Sequence, residues 1–276
     1  MKTNILKATL QEVNPAFAHR WSSDLTLELP WQYMKKEPKT LVWSENLQDE
    51  ARIVYKLYPH RGPVEWMRKR LGRLRVQREF EALDVLWKGD VLCSEPVLWG
   101  YGRSLRLGRF EILGTRGVAE ALSLEELSRA GQWFTGRDLR PLFASVRRMH
   151  SLGVYHGALT LRNIMVRRKY RERPDFYLID LERARCFPGD IFGTRMMVFD
   201  LLHLSSKVFP WLGEEKRYEL LHEYGLNDVQ IAAIFRKLVT YRPTRFFRNR
   251  LRAEFDLRTW CWRVLSVFDS AKTGSA

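Results

Sequence analysis

The sequence predicts an α+β fold in two lobes. A small antiparallel β-rich N-terminal lobe, with an N-terminal extension, spans residues 1–118, and a larger helical C-terminal lobe spans 119–276. Three observations predict it. The runs TLVWSENLQ (40–48) and ARIVYKLYP (51–59) carry β-branched and aromatic residues and flank a short polar turn. The stretch GDVLCSEPVLWGYGRSLRLGRFEILGTRG (89–117) is rich in glycine and alternating apolar residues, as two or three antiparallel strands would be. From about 120 onward the apolar period turns helical and mostly stays so.

The elements follow in order. Between the two predicted sheet regions lies a basic helical segment, PVEWMRKRLGRLRVQREFEALDVL (63–86), whose second half puts Val76, Phe80, Leu83 and Leu86 on one face. SLEELSRAG (123–131) opens with Ser123 and carries Glu126 three residues on, the signature of a capping box. DLRPLFASVRRMHSLG (138–153) is a longer amphipathic helix that stops at glycine. NIMVRR (163–168) and DFYLIDL (175–181) are short strands around the charged turn KYRERP, and everything past about 196 is expected as helix. No internal repeat or low-complexity linker interrupts the chain, so it is expected as one domain overall.

Composition narrows the function classes. Apolar residues make up 45% and charged residues 29%, which is the balance of a folded chain. There are 47 basic against 32 acidic residues, a net charge of +15, so an acidic partner is expected. The three cysteines, Cys93, Cys186 and Cys261, lie far apart, which argues against a disulfide framework or a zinc site and fits a reducing compartment. The N-terminal residues show no signal-peptide pattern, and no stretch approaches the roughly 20 apolar residues of a membrane span. The expected location is cytoplasmic, with contact at a membrane surface through charge.

Four positions carry potential chemistry. Lys56 lies inside a predicted strand, where a lysine either points to solvent or meets an anion. Glu79, on the following helix, is its potential partner. Asp180 ends the apolar run DFYLID, as a metal-holding carboxylate would and as a turn residue also would. In YHGALTLRN (155–163), His156 is followed seven positions later by Asn163, and Asn163 and Asp180 offer the oxygen ligands that magnesium accepts. His156 itself is expected as a core histidine that organises the loop. The spacing is that of the protein-kinase catalytic loop H-R-D-x-x-x-x-N, but Ala158 stands where that loop has its aspartate.

The chain resembles the bacterial lipopolysaccharide-core kinases, the Kdo and heptose kinases, which are distant relatives of the eukaryotic protein kinases. The likeness runs from about 50 to 205 and rests on YKLYPHRGPVEWMRKRLGRLRVQREFEALDVL, ILGTRGVAEALSLEEL, MHSLGVYHGALTLRNIMV and YLIDLERAR. It implies a bilobal protein-kinase-like fold with ATP and Mg2+ as cofactors. It implies Lys56 on the ATP phosphates, Glu79 as its helix partner, and Asn163 and Asp180 as magnesium ligands, with Asp180-Leu181-Glu182 in place of D-F-G. The hinge that meets adenine is implied near Thr115, Arg116 and Val118.

Two departures matter. Residues 40–50 contain no glycine, so WSENLQDE is not a glycine-rich phosphate loop. Ala158 replaces the catalytic aspartate, and from Leu139 to Arg171 there is no Asp or Glu to replace it. Gly157 beside it is expected to loosen the loop. The leading expectation is a pseudokinase in lipopolysaccharide core assembly or modification. One alternative is an active sugar kinase or AMP transferase with its base elsewhere. Another is a basic binding module, built on the segments 66–78 and 241–252. The expected partner is phosphorylated core sugar or anionic headgroups rather than nucleic acid, since no nucleic-acid motif is present.

Overall fold

Strand alternation decides how the first half of the chain folds. The computed structural model describes residues 5–18, 24–28, 35–37, 40–46, 52–60, 74–104, 107–168 and 173–241. Strands β1 (Ile5–Val13), β2 (Asp24–Glu28), β3 (Lys35–Glu37), β4 (Thr40–Asn46) and β5 (Arg52–Pro59) precede helix α1 (Arg75–Lys88). Strands β6 (Pro96–Ser104) and β7 (Gly108–Arg116) follow it. All seven strands form one antiparallel sheet in the order β2-β1-β6-β7-β5-β4-β3.

Each strand sends alternate side chains to opposite faces. On β5, Ile53, Tyr55 and Leu57 enter a buried cluster with Leu6, Leu25 and Leu27 of the two N-terminal strands and with Trp43 of β4. The sheet curls around that cluster. Trp43 and Tyr55 stack there at 5.3 Å between ring centroids. Gly100 and Gly102 of β6 let β1 close in. A Cβ at either would stand 2.5 Å from the Thr9 carbonyl oxygen or 2.1 Å from that of Lys7. The other face of β5 is left for Lys56, and α1 packs beside it with Val76, Phe80, Leu83 and Leu86 buried, the face its spacing predicts. Burying each such side chain stabilises the lobe by about 1.5–3 kcal/mol.

The helical part begins with β8 (Ala121–Ser123) and α2 (Leu124–Arg129), whose capping box of Ser123 and Glu126 is formed as expected. Helix α3 (Gly136–Ser151) starts on a second capping box, Thr135 with Asp138. It buries Leu139, Leu142, Phe143, Val146 and Met149 along one stripe. Strands β9 (Val154–Tyr155), β10 (Ile164–Arg167), β11 (Asp175–Leu178) and β12 (Arg185–Cys186) then form small antiparallel sheets, β11-β10-β8 and β12-β9. Helices α4 (Arg195–Val208), α5 (Glu214–Glu223) and α6 (Asp228–Thr240) complete the described chain.

The predicted hairpin of 163–168 with 175–181 is present, shortened at both ends, with Ile164 opposite Leu178. The first half of the predicted helix 63–86 lies outside the described residues, as do 47–50 of the glycine-free stretch, 169–172 of the charged turn, Cys261 and all of 241–252 past Tyr241. The chain divides into two compact units, residues 1–235 and 236–276, and the second is described only to Tyr241. Among the described residues, no helix is long and apolar enough to cross a membrane.

Candidate functional site

The strand face opposite the apolar cluster presents Lys56, and three elements converge on it. From α1, Glu79 Oε1 accepts a hydrogen bond from Lys56 Nζ at 2.7 Å. From the segment after β11, Asp180 Oδ1 accepts another at 2.8 Å. From β5 itself, the Tyr58 hydroxyl donates to Glu79 Oε2 at 3.2 Å. Glu79 is 1% exposed, so its charge is tolerable only because both oxygens are bonded.

The electrostatics follow from that geometry. Burial works to lower the Lys56 pKa, but Glu79 and Asp180 overcome it and hold the ammonium well above its ordinary value. Burial pushes the Glu79 carboxyl up, and the adjacent Lys56 ammonium opposes it. Burial also acts to raise Asp180, yet Lys56 prevails and the carboxyl sits below its usual range. The lysine stays charged between these two acidic side chains, with Asp180 held ionised and Glu79 shifted upward by burial.

Asp180 reaches this point because β11 is fixed on both edges. The Ile179 amide donates to the Asn163 carbonyl at 3.0 Å, which extends the hairpin one step. On the other side, the Leu178 amide donates to the Leu92 carbonyl at 2.9 Å, and Ser94 donates back to Leu178. Those residues belong to the loop after α1, so the same loop ties the Asp180 strand to the helix that carries Glu79. Asp180 then leaves the strand at φ +59°, in the left-handed region that costs a non-glycine residue about 1–2 kcal/mol.

Asn163 lies beside it, 3% exposed. Its side-chain nitrogen donates to the Ala158 carbonyl at 2.9 Å, and among the described residues none donates to its Oδ1. Asp180 has likewise committed only Oδ1 to Lys56 and keeps Oδ2. Two hard oxygens beside a lysine fit a magnesium-bound phosphate, with Asn163 and Asp180 on the metal and Lys56 on the phosphate. Bound there, the metal would neutralise phosphate charge. Among the described residues, no group of three His, Cys, Asp or Glu is arranged as a metal site.

The loop YHGALTLRN is held from behind by Asp200 of α4. Its two oxygens accept the backbone amides of His156 at 2.8 Å and Gly157 at 3.1 Å. Asp200 is fully buried and also meets His150 Nε2 at 3.3 Å, while His150 Nδ1 pairs with the Tyr224 hydroxyl. Sequence reasoning missed Asp200. Its signal is a lone carboxylate inside the apolar run MMVFDLLHL, where burial forces a partner.

Gly157 does not loosen the loop, as expected from composition, but is required by it. Its φ is +73°, and a Cβ would stand 2.8 Å from the Arg183 carbonyl oxygen. Ala158 presents only a methyl group, and its carbonyl is taken by Asn163 and by the Thr160 amide. His156 is fully buried, with the Ile179 backbone close enough to act on its ring, and no described residue bonds the buried Thr160 hydroxyl. Burial lowers the His156 pKa against the pull of Asp200 and Asp180.

Thr115, Arg116 and Val118 lie where β7 leaves the sheet. Thr115 is buried; the Arg116 amide donates to the Glu95 carbonyl at 2.9 Å, and the Gly117 amide to the Arg52 carbonyl at 2.7 Å. Those two donors are spent on the fold, so adenine recognition at this corner would fall to other groups.

Residues 41–223, about two thirds of the chain, match the lipopolysaccharide kinase (Kdo/WaaP) family. The chain belongs to that family. Lys56, Glu79, Ala158, Asn163, Asp180 and Asp200 all fall inside the matched span of this lipopolysaccharide kinase family member. The solved structure of WaaP in complex with acyl carrier protein resembles the chain at a TM-score of 0.54 and 21% identity. The likeness covers 85% of this chain and 87% of that one, and it shows a shared kinase-like fold. No curated protein sequence matches the chain.

Proposed function

We propose that this lipopolysaccharide kinase family member is a pseudokinase. It holds magnesium-ATP through Lys56, Asn163 and Asp180, transfers phosphate slowly or not at all, and acts in assembly or modification of the lipopolysaccharide core. One observation carries the reading. The loop that would receive the acceptor hydroxyl is fully braced by Asp200 and Asn163, yet it offers the methyl group of Ala158 where a carboxylate is needed. Of the acids that follow the loop, Asp175 pairs with Arg167, Asp180 with Lys56, and Glu182 with Arg75 on the Lys56 side. Losing an oriented base costs on the order of 10²–10⁴ in rate. The charge of +15 suits a phosphorylated sugar or anionic headgroups at a membrane surface as the partner.

A thermal shift tests the first half of this reading. Magnesium-ATP should raise the melting temperature of the intact chain, and Lys56→Ala or Asp180→Ala should abolish the rise. Absence of any rise in the intact chain overturns nucleotide binding and favours a basic binding module. Mass analysis after incubation with ATP and core oligosaccharide tests the second half. Rapid appearance of phosphate or AMP adducts would show an active transferase with its base elsewhere.

A further inference from the structure

Strand β1 precedes residue 41, where the family match begins, yet it pairs directly with β6. The register decides which side chains it brings there. Leu6 and Ala8 enter the apolar cluster, as do Phe110 and Ile112 of β7. Alternation then puts Lys7 on the opposite face of the sheet, the one that carries Lys56.

On that face Lys7 stands directly opposite Arg103 of β6, and Arg103 stands directly opposite Arg109 of β7. All three are exposed. Neighbouring strands lie about 4.8 Å apart, so the three side chains rise from a line about 10 Å long. Like charges placed directly opposite each other destabilise a sheet.

The row is not neutralised from within the described fold. Among the described residues, no carboxylate makes an ion pair with Lys7 or Arg103. Glu111, two residues past Arg109, is committed to the Val76 amide at 3.1 Å and lies 3.4 Å from His60. Asp24 of β2 stands opposite Thr9, whereas Lys7 has Thr26 across from it. Such a row attracts an anion from outside the chain.

The shape of the row selects the anion. It crosses an open strand face, whereas a single small anion is held in a concave site. Tyr101, two residues before Arg103 and opposite Thr9, is 47% exposed beside the row. Tyrosine rings settle at the headgroup level of a bilayer, and basic side chains next to them attract anionic lipid.

We propose that Lys7, Arg103 and Arg109, with Tyr101, form a docking surface for anionic membrane lipid. This gives the anionic-headgroup partner of the chain a place on the fold, and it does not depend on nucleotide. Lys7 joins it from outside the matched span, so the row combines the N-terminal extension with strands of the family region.

Co-sedimentation of the full, nucleotide-free chain with vesicles tests this. The chain should bind vesicles of phosphatidylglycerol and phosphatidylcholine at about 0.1 M salt and ignore pure phosphatidylcholine. Each basic side chain at such a surface strengthens binding about fivefold. Lys7→Gln and Arg103→Gln should therefore each weaken it about fivefold, and together about 25-fold, while Lys7→Arg binds as the parent does. Arg137→Gln removes an equal charge from the exposed first turn of α3 and should change binding less than about twofold. Both row variants relieve repulsion, so their denaturation midpoints should match or exceed that of the parent.

A parent that does not sediment with the anionic vesicles overturns the proposal. An equal loss in all three glutamine variants does so too, since net charge alone would then explain the binding. Duplex DNA binding that the double variant loses while its vesicle binding persists would assign the row to nucleic acid and overturn the membrane surface. A parent that sediments with vesicles but gains no stability from magnesium-ATP would uphold the docking surface and overturn the nucleotide reading.

Discussion

Lys56 donates to Asp180 Oδ1 at 2.8 Å although 124 residues separate them in sequence. The bond joins the strand face of one lobe to the carboxylate that follows β11 in the other, and Glu79 closes the triangle at 2.7 Å from the same ammonium. The three groups do not carry equal weight. Glu79 is 1% exposed and depends on Lys56, whereas Asp180 is 35% exposed and has water as an alternative.

Removing the lysine is therefore worse than removing the aspartate. Lys56→Met should destabilise the chain by about 3–5 kcal/mol, the loss seen when one partner of a buried pair is deleted. Asp180→Asn should cost far less. Adding Glu79→Gln to Lys56→Met should recover part of the loss, because no buried charge is then left unpaired. Urea melts of the four proteins measure this, and equal losses for Lys56→Met and Asp180→Asn would refute the ranking.

Asp200 is a structural carboxylate, and its removal strands two loop amides and His150 in the interior. Asp200→Ala should lower stability by about 2–4 kcal/mol, since each buried group left unbonded costs about 1–3 kcal/mol. Asp200→Asn keeps one acceptor oxygen and should fall between the two. A denaturant midpoint for Asp200→Asn equal to that for Asp200→Ala would show that the second oxygen does not matter.

Gly157 and Gly131 separate backbone strain from collision. Both have positive φ, +73° and +74°, but a Cβ at Gly131 meets nothing within 4 Å while one at Gly157 stands 2.8 Å from the Arg183 carbonyl. Gly131→Ala should cost about 1 kcal/mol, the left-handed penalty alone. Gly157→Ala should cost about 2–3 kcal/mol, because backbone must also move. Calorimetric midpoints that fall equally for both would mean the loop yields without strain.

Much of this site is legible in the sequence because strand and helix periods dictate it. Alternation along RIVYKLYP puts Lys56 on the face opposite Ile53, Tyr55 and Leu57, and the spacing of Val76, Phe80 and Leu83 turns Glu79 inward with them. The Ser123 capping box is equally local. What escaped depends on contacts between distant segments. Strand β1 joins the curled sheet only by pairing with β6, and β2 only by pairing with β1, while Asp200 gains its role only from a loop 43 residues away. Gly157 is flexible by composition, yet the tertiary approach of Arg183 makes it a fixed requirement.

Acid should weaken the fold through His156. Burial holds its pKa below the ordinary value near 6.5, although Asp200 and Asp180 pull the other way. The unfolded chain then binds the proton more readily than the folded one, so the contribution of His156 is complete above about pH 6.5 and is lost as pH falls through the lowered folded value. His156→Phe should flatten the decline in urea midpoint between about pH 7 and pH 5. Parent and variant declining in parallel would place the acid sensitivity outside His156.

Restoring the missing carboxylate is the most direct probe of the loop. Ala158 is braced through its backbone, by Asn163 Nδ2 at 2.9 Å and the Thr160 amide at 2.8 Å, so a longer side chain there leaves both bonds intact. Ala158→Asp would add a negative group near Asn163 and Asp180, and without metal it should lower the melting temperature slightly through like-charge repulsion. Magnesium-ATP should offset that loss, and phosphate transfer to a core oligosaccharide should rise by on the order of 10²–10⁴ from its low parental level. The comparison needs only radiolabelled ATP, the parent and the variant. Fast transfer by the parent that Ala158→Asp slows would mean the alanine loop is the working form, with the acceptor hydroxyl oriented by a group outside it.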